Sequence, residues 1–221
     1  AATGIITVAD VGDIDDETAA DASFDLVIQA TDGVTADTET ITITITNTAP
    51  TVTDNDVSYA ESTSCSADVA TIATTGDTTG LTWSITAGNE DGDGDGTDAF
   101  TIGGSTGIIT VADCGDIDDE TADDASFTLT VRATDGVTPD TESITITITD
   151  TAPTVTDNDV NYAESTSCAA NVVDLAATGD NTGLTWSISS GNEDGDGDGT
   201  DAFAIAAATG IITVADAGDI D

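Results

Sequence analysis

Apolar and polar residues alternate along several short stretches of the chain, and this alternation predicts β-strands. Ser23–Ala30 and Glu39–Thr46 place apolar or β-branched residues at every second position, which is typical of strands with one buried face. Thr31-Asp32-Gly33 lies between them and predicts a turn. No stretch of the sequence sustains the 3.6-residue period of a helix. We therefore predict an all-β protein.

The pattern repeats along the chain. The sequence TGIITVAD begins at Thr3, Thr106 and Thr209, so the spacing is 103 residues both times. A fixed period of this length indicates an array of small, similar domains. Ala49-Pro50 and Ala152-Pro153 mark the boundaries, because a proline at the end of a strand cannot continue the ladder. The predicted domains are 1–48, the end of one repeat; 49–151, a complete repeat; and 152–221, the start of another.

The complete repeat contains seven predicted strands. They are Val57–Ala60, Val69–Ala73, Leu81–Ala87, Ala99–Ile102, Ile108–Val111, Ser126–Ala133 and Glu142–Thr149. Seven short strands separated by turn signals fit a Greek-key β-sandwich. Trp83 and Trp186 hold equivalent positions, where we expect them to pack in the core.

The two ends of the chain carry the same segment. Residues 1–15 match residues 207–221 except that Val11 is replaced by Ala217. We expect the sequence to be a slice of a longer array. The alternative is that the incomplete domain at one end is completed by another copy of the chain.

The composition is strongly acidic. Asp and Glu total 44 against a single base, Arg132, for a formal charge of −43. This charge argues against nucleic acids and anionic membranes as partners, because phosphate binding needs Lys and Arg. The sequence contains no His and no Lys, so the usual general bases and amine nucleophiles are missing and we predict no enzyme. No apolar run reaches the ~20 residues of a membrane span.

The motifs, taken together and in order, resemble the cadherin repeat in its bacterial surface-protein form. The family's acidic Leu-Asp-x-Glu motif falls on Ile117–Glu120, and its Ala-x-Asp-Gly turn falls on Ala133–Gly136. Glu61 matches the glutamate near the first strand, and Asp150 matches the linker aspartate before Ala-Pro. The family's Asp-x-Asp motif is reduced here to a single aspartate, Asp77 or Asp180. The resemblance implies tandem seven-stranded sandwiches outside the cell, with calcium at the junctions and a role in adhesion or surface scaffolding.

Calcium prefers six to eight oxygen ligands, many of them carboxylates, and the resemblance assigns such ligands in each repeat. They are Asp15, Glu17, Asp32, Glu61, Asp118, Glu120, Asp135, Asp150 and Glu164. The alternatives are a solvated acidic loop and a generally acidic, salt-adapted surface. Crowded carboxylates repel without a cation, and the acidic residues cluster at the same place in each repeat, so we favour calcium.

A second acidic stretch, Asn89–Asp98, recurs as Asn192–Asp201. Its aspartates follow the spacing of the first half of an EF-hand loop. Ile102 stands where that loop has its final glutamate, so the alternatives are a different kind of calcium loop and a flexible acidic hairpin. The candidate ligands are Asp91, Asp93, Asp95 and Asp98, with Asp194, Asp196, Asp198 and Asp201 in the next repeat.

The three cysteines suggest one disulfide. Cys65 lies four residues after Glu61, and Cys114 lies four residues before Asp118. If those two acids share a metal, the cysteines are neighbours, so we predict a Cys65–Cys114 bridge, which suits an extracellular protein. Cys168 is then left as a free thiol or contacts something beyond this sequence.

These observations predict a calcium-stabilised extracellular structural protein that forms a filament or an adhesin stalk and contacts other copies of itself. The competing prediction is a cell-adhesion module that binds a surface ligand. That ligand would be a sugar, a protein or, in last place, ice, for which the threonine rows Thr42–Thr46 and Thr145–Thr149 are the only argument.

Overall fold

The structure is a computed structural model that describes residues 4–18, 20–61, 65–120, 125–156, 158–163 and 167–220. It consists of strands joined by turns, with two three-residue 3-10 helices at Val11–Asp13 and Gly218–Ile220. The strands are β1 (Ser23–Thr31), β2 (Ala36–Thr44), β3 (Thr51–Val52), β4 (Val57–Ala60), β5 (Asp68–Thr71), β6 (Thr74–Thr75), β7 (Thr82–Ala87), β8 (Phe100–Ile102), β9 (Ile108–Val111), β10 (Ser126–Thr134), β11 (Pro139–Thr149), β12 (Thr154–Val155), β13 (Asn171–Asp174), β14 (Ala177–Thr178), β15 (Phe203–Ile205) and β16 (Ile211–Val214). This confirms the predicted all-β class. Among the described residues, no helix has the length and apolar character needed to cross a membrane.

The complete repeat forms two main sheets. One has four strands in the order β4-β11-β10-β7, and the other has three in the order β5-β9-β8. The short strands β3 and β6 pair with each other. Because β10 and β11 are adjacent in the sequence and antiparallel, they form a hairpin in which Ser126 pairs with Thr147 and Thr134 with Pro139.

Alternation along β10 and β11 builds the core between these sheets. Leu129, Val131, Ile144 and Ile146 are fully buried, whereas the intervening threonines are more exposed. This is the pattern expected when successive side chains point to opposite faces of a strand.

One aromatic contact shows that the two sheets pack face to face. Phe100 on β8 and Phe127 on β10 lie with their ring centroids 5.0 Å apart, edge to face at 87°. Both residues are buried. The repeat is therefore a β-sandwich, as the sequence predicted.

The partial repeats keep those pairings for which both strands are present. β1 and β2 form a two-stranded hairpin with the register of β10 and β11, and β13, β16 and β15 form a sheet equivalent to β5-β9-β8. Ile41 in β2 is 41% exposed, whereas its counterpart Ile144 is buried. An apolar strand face becomes a core only where a second sheet covers it.

The described residues divide into two compact units. The first comprises Ala1–Tyr59, Ser64–Asp116 and Ser126–Thr147, and the second comprises Ala60–Thr63, Ile117–Ala125 and Ile148–Asp221, apart from the residues outside the described ranges. Each carboxylate cluster described below lies within one unit.

The predicted cysteine pair is bonded in the structure. Cys65, after β4, and Cys114, after β9, form a disulfide with their Cα atoms 5.2 Å apart, inside the range that the covalent geometry allows. Cys168 is free and exposed.

Trp83 packs against Gly107 rather than lying wholly in the core, and Trp186 and Gly210 repeat this contact. Both tryptophans are half-buried. A Cβ atom on Gly107 would lie 2.8 Å from the Trp83 ring, and one on Gly210 would lie 2.8 Å from the Trp186 ring. Gly107 also has a φ of 66°, which L-residues rarely adopt.

Replacing Gly107 by alanine is expected to lower the free energy of unfolding by about 2–3 kcal/mol, because the substitution adds a backbone cost and an indole clash. Urea denaturation followed by Trp fluorescence measures this change. Gly80→Ala is the matched control, because its φ of 63° is similar but its nearest neighbour is 3.8 Å away. Equal losses for the two variants would show that the ring contact contributes nothing.

Candidate metal centres

Four carboxylates of the second unit converge on one point. Glu61, Glu120, Asp150 and Asp180 each offer an oxygen, and these oxygens all lie within 4.8 Å of one another. The sequence predicted the first three as calcium ligands. Asp180 was recognised only as the remnant of a family motif, and the structure adds it to the group.

Glu61 is held in place by the backbone around it. It follows β4 directly, is 7% exposed, and donates its amide hydrogen to the Thr149 carbonyl at 3.1 Å. Its carboxylate oxygens accept the amide hydrogens of Thr151 at 2.7 Å and Asp119 at 3.0 Å. A carboxylate oxygen has two lone pairs, so, counting the hydrogen bonds from the described residues, each oxygen keeps one lone pair for a cation.

Four carboxylates meet in this cluster, and the sequence contains a single base, Arg132. The pKa of Glu120 is raised to about 7 by burial, by the adjacent Asp118 carboxyl and by the charges of Glu61 and Asp180. Asp118 itself accepts the Glu120 amide hydrogen at 3.0 Å. Such a site favours either a proton or a cation between its carboxylates.

A related cluster lies in the first unit, where Asp15, Glu17 and Asp77 bring their oxygens within 4.8 Å. Both carboxylate oxygens of Glu17 are buried, and neither accepts a hydrogen bond from the described part of the chain. The Asp15 carboxyl raises the pKa of Glu17 to about 7, with burial and the charge of Asp77 acting in the same direction. Buried acceptors without donors are rare, and here they face other carboxylates.

The same repeat positions therefore meet twice. Glu17 lies near Asp77, and 103 residues later Glu120 lies near Asp180. In each case the glutamate precedes an Ala-Pro boundary in the sequence and the aspartate follows it. Glu164, the repeat counterpart of Glu61, lies outside the described residues.

Three predicted ligands, Asp32, Asp118 and Asp135, belong to neither cluster of the described residues. Asp135 is 5% exposed, and its Oδ1 accepts the amide hydrogens of Val137 at 2.8 Å and Thr138 at 2.7 Å. Burial alone would raise the pKa of Asp135, but these hydrogen bonds outweigh burial and lower it. Asp32 makes the equivalent bonds to Thr35 and Val34, which lower its pKa. Both aspartates stabilise their own turns.

The first acidic loop is folded around its aspartates. Asp91, Asp93 and Asp95 bring their oxygens within 4.8 Å of one another. The loop closes where the Ala99 amide donates to the Glu90 carbonyl at 3.0 Å. Asp98 lies outside this trio and accepts from the Asn89 side chain at 3.3 Å.

The second acidic loop brings in two aspartates from outside it. Asp194 and Asp196 group with Asp219, while Asp196 and Asp198 group with Asp216. Asp201, like Asp98, accepts from the neighbouring asparagine side chain, here Asn192 at 3.3 Å. The hydrogen bond from the Asp198 amide lowers the pKa of Asp196, but burial and the surrounding aspartates outweigh it and raise that pKa.

No family model and no curated protein sequence matches the chain. Among solved structures, the chain is similar to a protocadherin gammaB7 EC3-6 cis-dimer structure, with 16% identity over 89% of this chain and 52% of that one and a TM-score of 0.44. It is similar to Drosophila N-cadherin EC1-4, with 20% identity over 83% of this chain and 44% of that one and a TM-score of 0.43. It is similar to human protocadherin-24 EC1-2, with 20% identity over 77% of this chain and 79% of that one and a TM-score of 0.41. The chain thus spans about half the length of the first of these, and all three are cadherins or protocadherins, the family that the sequence motifs resemble.

Proposed function

We propose that this chain is an extracellular structural protein in which bound calcium connects successive repeats, in a filament or an adhesin stalk. The observation that carries the proposal is the convergence of Glu61, Glu120, Asp150 and Asp180 on one point. These residues come from both sides of the Ala152-Pro153 boundary in the sequence.

The ligand set suits calcium. All the donors are hard carboxylate oxygens, and calcium accepts six to eight such ligands with flexible geometry. Magnesium demands a stricter octahedron and keeps more of its water. Glu61, fixed by two backbone amides, would supply a preset ligand, while the more exposed Glu120 and Asp150 would close around the ion.

Calcium bound here would act mechanically. It would neutralise carboxylates that otherwise repel, and it would tie the segment before the proline to the segment after it. The recurrence of the arrangement at Glu17 and Asp77 supports a role that is repeated along an array. The disulfide between Cys65 and Cys114 supports an oxidising location outside the cell.

The domains 1–48, 49–151 and 152–221 are part of this proposal, as is self-association between copies of the chain. The chain would work as a spacer and would not itself be an enzyme. Visible filaments in calcium that disperse in a chelator would support the fibre. Particles that stay single but bind a cell surface would favour the alternative, an adhesion module with a surface ligand.

Replacing Glu120 by glutamine is expected to weaken calcium binding at this cluster tenfold or more, since one charged ligand is lost. Isothermal titration calorimetry of the full chain with calcium measures the change. Glu142→Gln is the matched control, because Glu142 lies on β11 and outside the carboxylate clusters of the described residues. Identical titrations for wild type, Glu120→Gln and Glu142→Gln would reject calcium at this cluster.

A further inference from the structure

Asp116 is buried beside the first acidic loop, and one of its oxygens has no hydrogen-bond partner among the described residues. Its side chain is 0% exposed. Its Oδ1 accepts the amide hydrogens of Gly92 at 2.9 Å and Asp93 at 3.0 Å, so the carboxylate lies directly against the loop. Its Oδ2 is buried and accepts no hydrogen bond from the described residues.

The next repeat reproduces this arrangement. Asp219, 103 residues after Asp116, accepts the amide hydrogens of Gly195 at 2.7 Å and Asp196 at 2.9 Å through Oδ1. Its Oδ2 is also buried without a partner among the described residues. Here the Asp219 carboxylate stands within 4.8 Å of Asp194 and Asp196 ligand oxygens.

A buried ionised oxygen without a donor is costly, and the cost falls when a cation supplies the missing interaction. We propose that Asp116 is a ligand of a second calcium site, formed with Asp91, Asp93 and Asp95 of the acidic loop. Asp219 completes the equivalent site with Asp194 and Asp196. These aspartates replace the final glutamate of an EF-hand loop, whose position is occupied by Ile102.

The loop aspartates retain lone pairs that could bind an ion. Asp91 accepts amide hydrogens from Gly94 and Asp95 through Oδ1, and one from Gly96 through Oδ2, so a lone pair remains on Oδ2. Asp93 Oδ2 would lie 2.7 Å from a Cβ atom on Gly115, next to Asp116 in the sequence. A glycine at this position lets the loop approach the turn that carries Asp116.

This proposal does not depend on calcium at the Glu61 cluster. The test uses the full chain and calcium alone, and it counts bound ions by native mass spectrometry in wild type, Asp116→Asn and Asp219→Asn. The asparagine keeps an oxygen that can accept from the loop amides but removes the charge. Each variant is expected to lose one bound ion, and the double variant is expected to lose two. Asp25→Asn, on β1 and outside the carboxylate clusters of the described residues, is the charge-matched control and should lose none.

Thermal unfolding in a chelator provides the second measurement. Without calcium, the Asp116→Asn midpoint should equal or exceed that of wild type, because a neutral amide is cheaper to bury than an unpaired carboxylate. In the presence of calcium, the midpoint of wild type should exceed that of Asp116→Asn. If Asp116→Asn does not fold, Asp219→Asn decides the question at the other copy. Unchanged ion counts in a folded variant would overturn the proposal, whereas loss of an ion in Glu120→Gln alone would leave only the Glu61 cluster as a calcium site.

Discussion

Loss of the Cys65–Cys114 bridge is expected to lower the free energy of unfolding by about 4 kcal/mol, because the bridge closes a loop between residues 49 positions apart. This is a large share of the ~5–15 kcal/mol that stabilises a typical domain. Cys114→Ala is the suitable variant, since the next repeat carries Ala217 at the same position. Urea denaturation of the oxidised wild type and the variant, both in a chelator, measures the difference.

Two controls isolate the bridge. Cys168 is exposed and free, so Cys168→Ala should change stability by no more than about 0.5 kcal/mol. A reducing agent should destabilise the wild type and leave Cys114→Ala unchanged. A wild type that unfolds at the same urea concentration with and without reductant would contradict the predicted contribution.

Removing calcium is expected to lower the thermal unfolding midpoint of the whole chain. An ion that binds only the folded state stabilises it by about 2.7 kcal/mol at a hundred times its dissociation constant. Contributions from separate sites add when they share no residues, so the Glu61 cluster and the two acidic loops together should give a large shift. Calorimetry in excess calcium and then in a chelator, at constant ionic strength, measures the shift.

Sodium chloride distinguishes specific sites from general screening. Salt weakens repulsion between exposed charges over about 10 Å at 0.1 M, and this effect would stabilise any strongly acidic surface. If calcium binds at the proposed sites, it should raise the unfolding midpoint at concentrations that hardly change the ionic strength. If sodium chloride restored the midpoint as well as calcium did, the acidic residues would serve as a salt-adapted surface.

Strands could be predicted where alternation was long and regular. Val57–Ala60 and Ile108–Val111 match β4 and β9 at both ends, and Ser23–Ala30 differs from β1 by one residue. Glu39–Thr46 differs more from β2, which spans Ala36–Thr44. The pairing of Thr31 with Ala36 extends the hairpin to its turn, and the hydrophobic pattern carries no information about that pairing.

Very short strands and unpaired strands could not be predicted from alternation. β3 and β6 have two residues each and exist through their mutual pairing, so neither has a visible period. Thr82–Ala87 forms β7 by pairing with β10, whereas residues 185–190, almost identical in sequence, are not a strand. The counterpart of β10 would begin at residue 229, beyond this sequence.

The candidate metal residues divide in the same way between local and long-range information. Asp91, Asp93 and Asp95 are close in sequence, so their spacing alone predicts that they gather. Asp77 lies 60 residues after Glu17, and Asp180 lies 60 residues after Glu120, so no local spacing predicts that these pairs meet.

The sequence also could not predict which acidic side chains are buried. Asp116 directly precedes the motif Ile117–Glu120, but the motif assigns the ligands to Asp118 and Glu120. Asp135 is the reverse case. The family motif marks it as a ligand, whereas in the structure its Oδ1 accepts hydrogen bonds from the turn amides of Val137 and Thr138. A motif predicts which residue types are present, whereas local hydrogen bonds determine which of their lone pairs are available to a metal.

The most direct test of calcium at the Glu61 cluster is an anomalous difference map from crystals of the full chain grown in calcium. We expect a peak between Glu61, Glu120, Asp150 and Asp180, about 2.3–2.6 Å from their oxygens, as is usual for calcium. We expect further peaks beside Asp116 and Asp219. Well-ordered carboxylates at the Glu61 cluster with only water between them, in saturating calcium, would contradict calcium binding there.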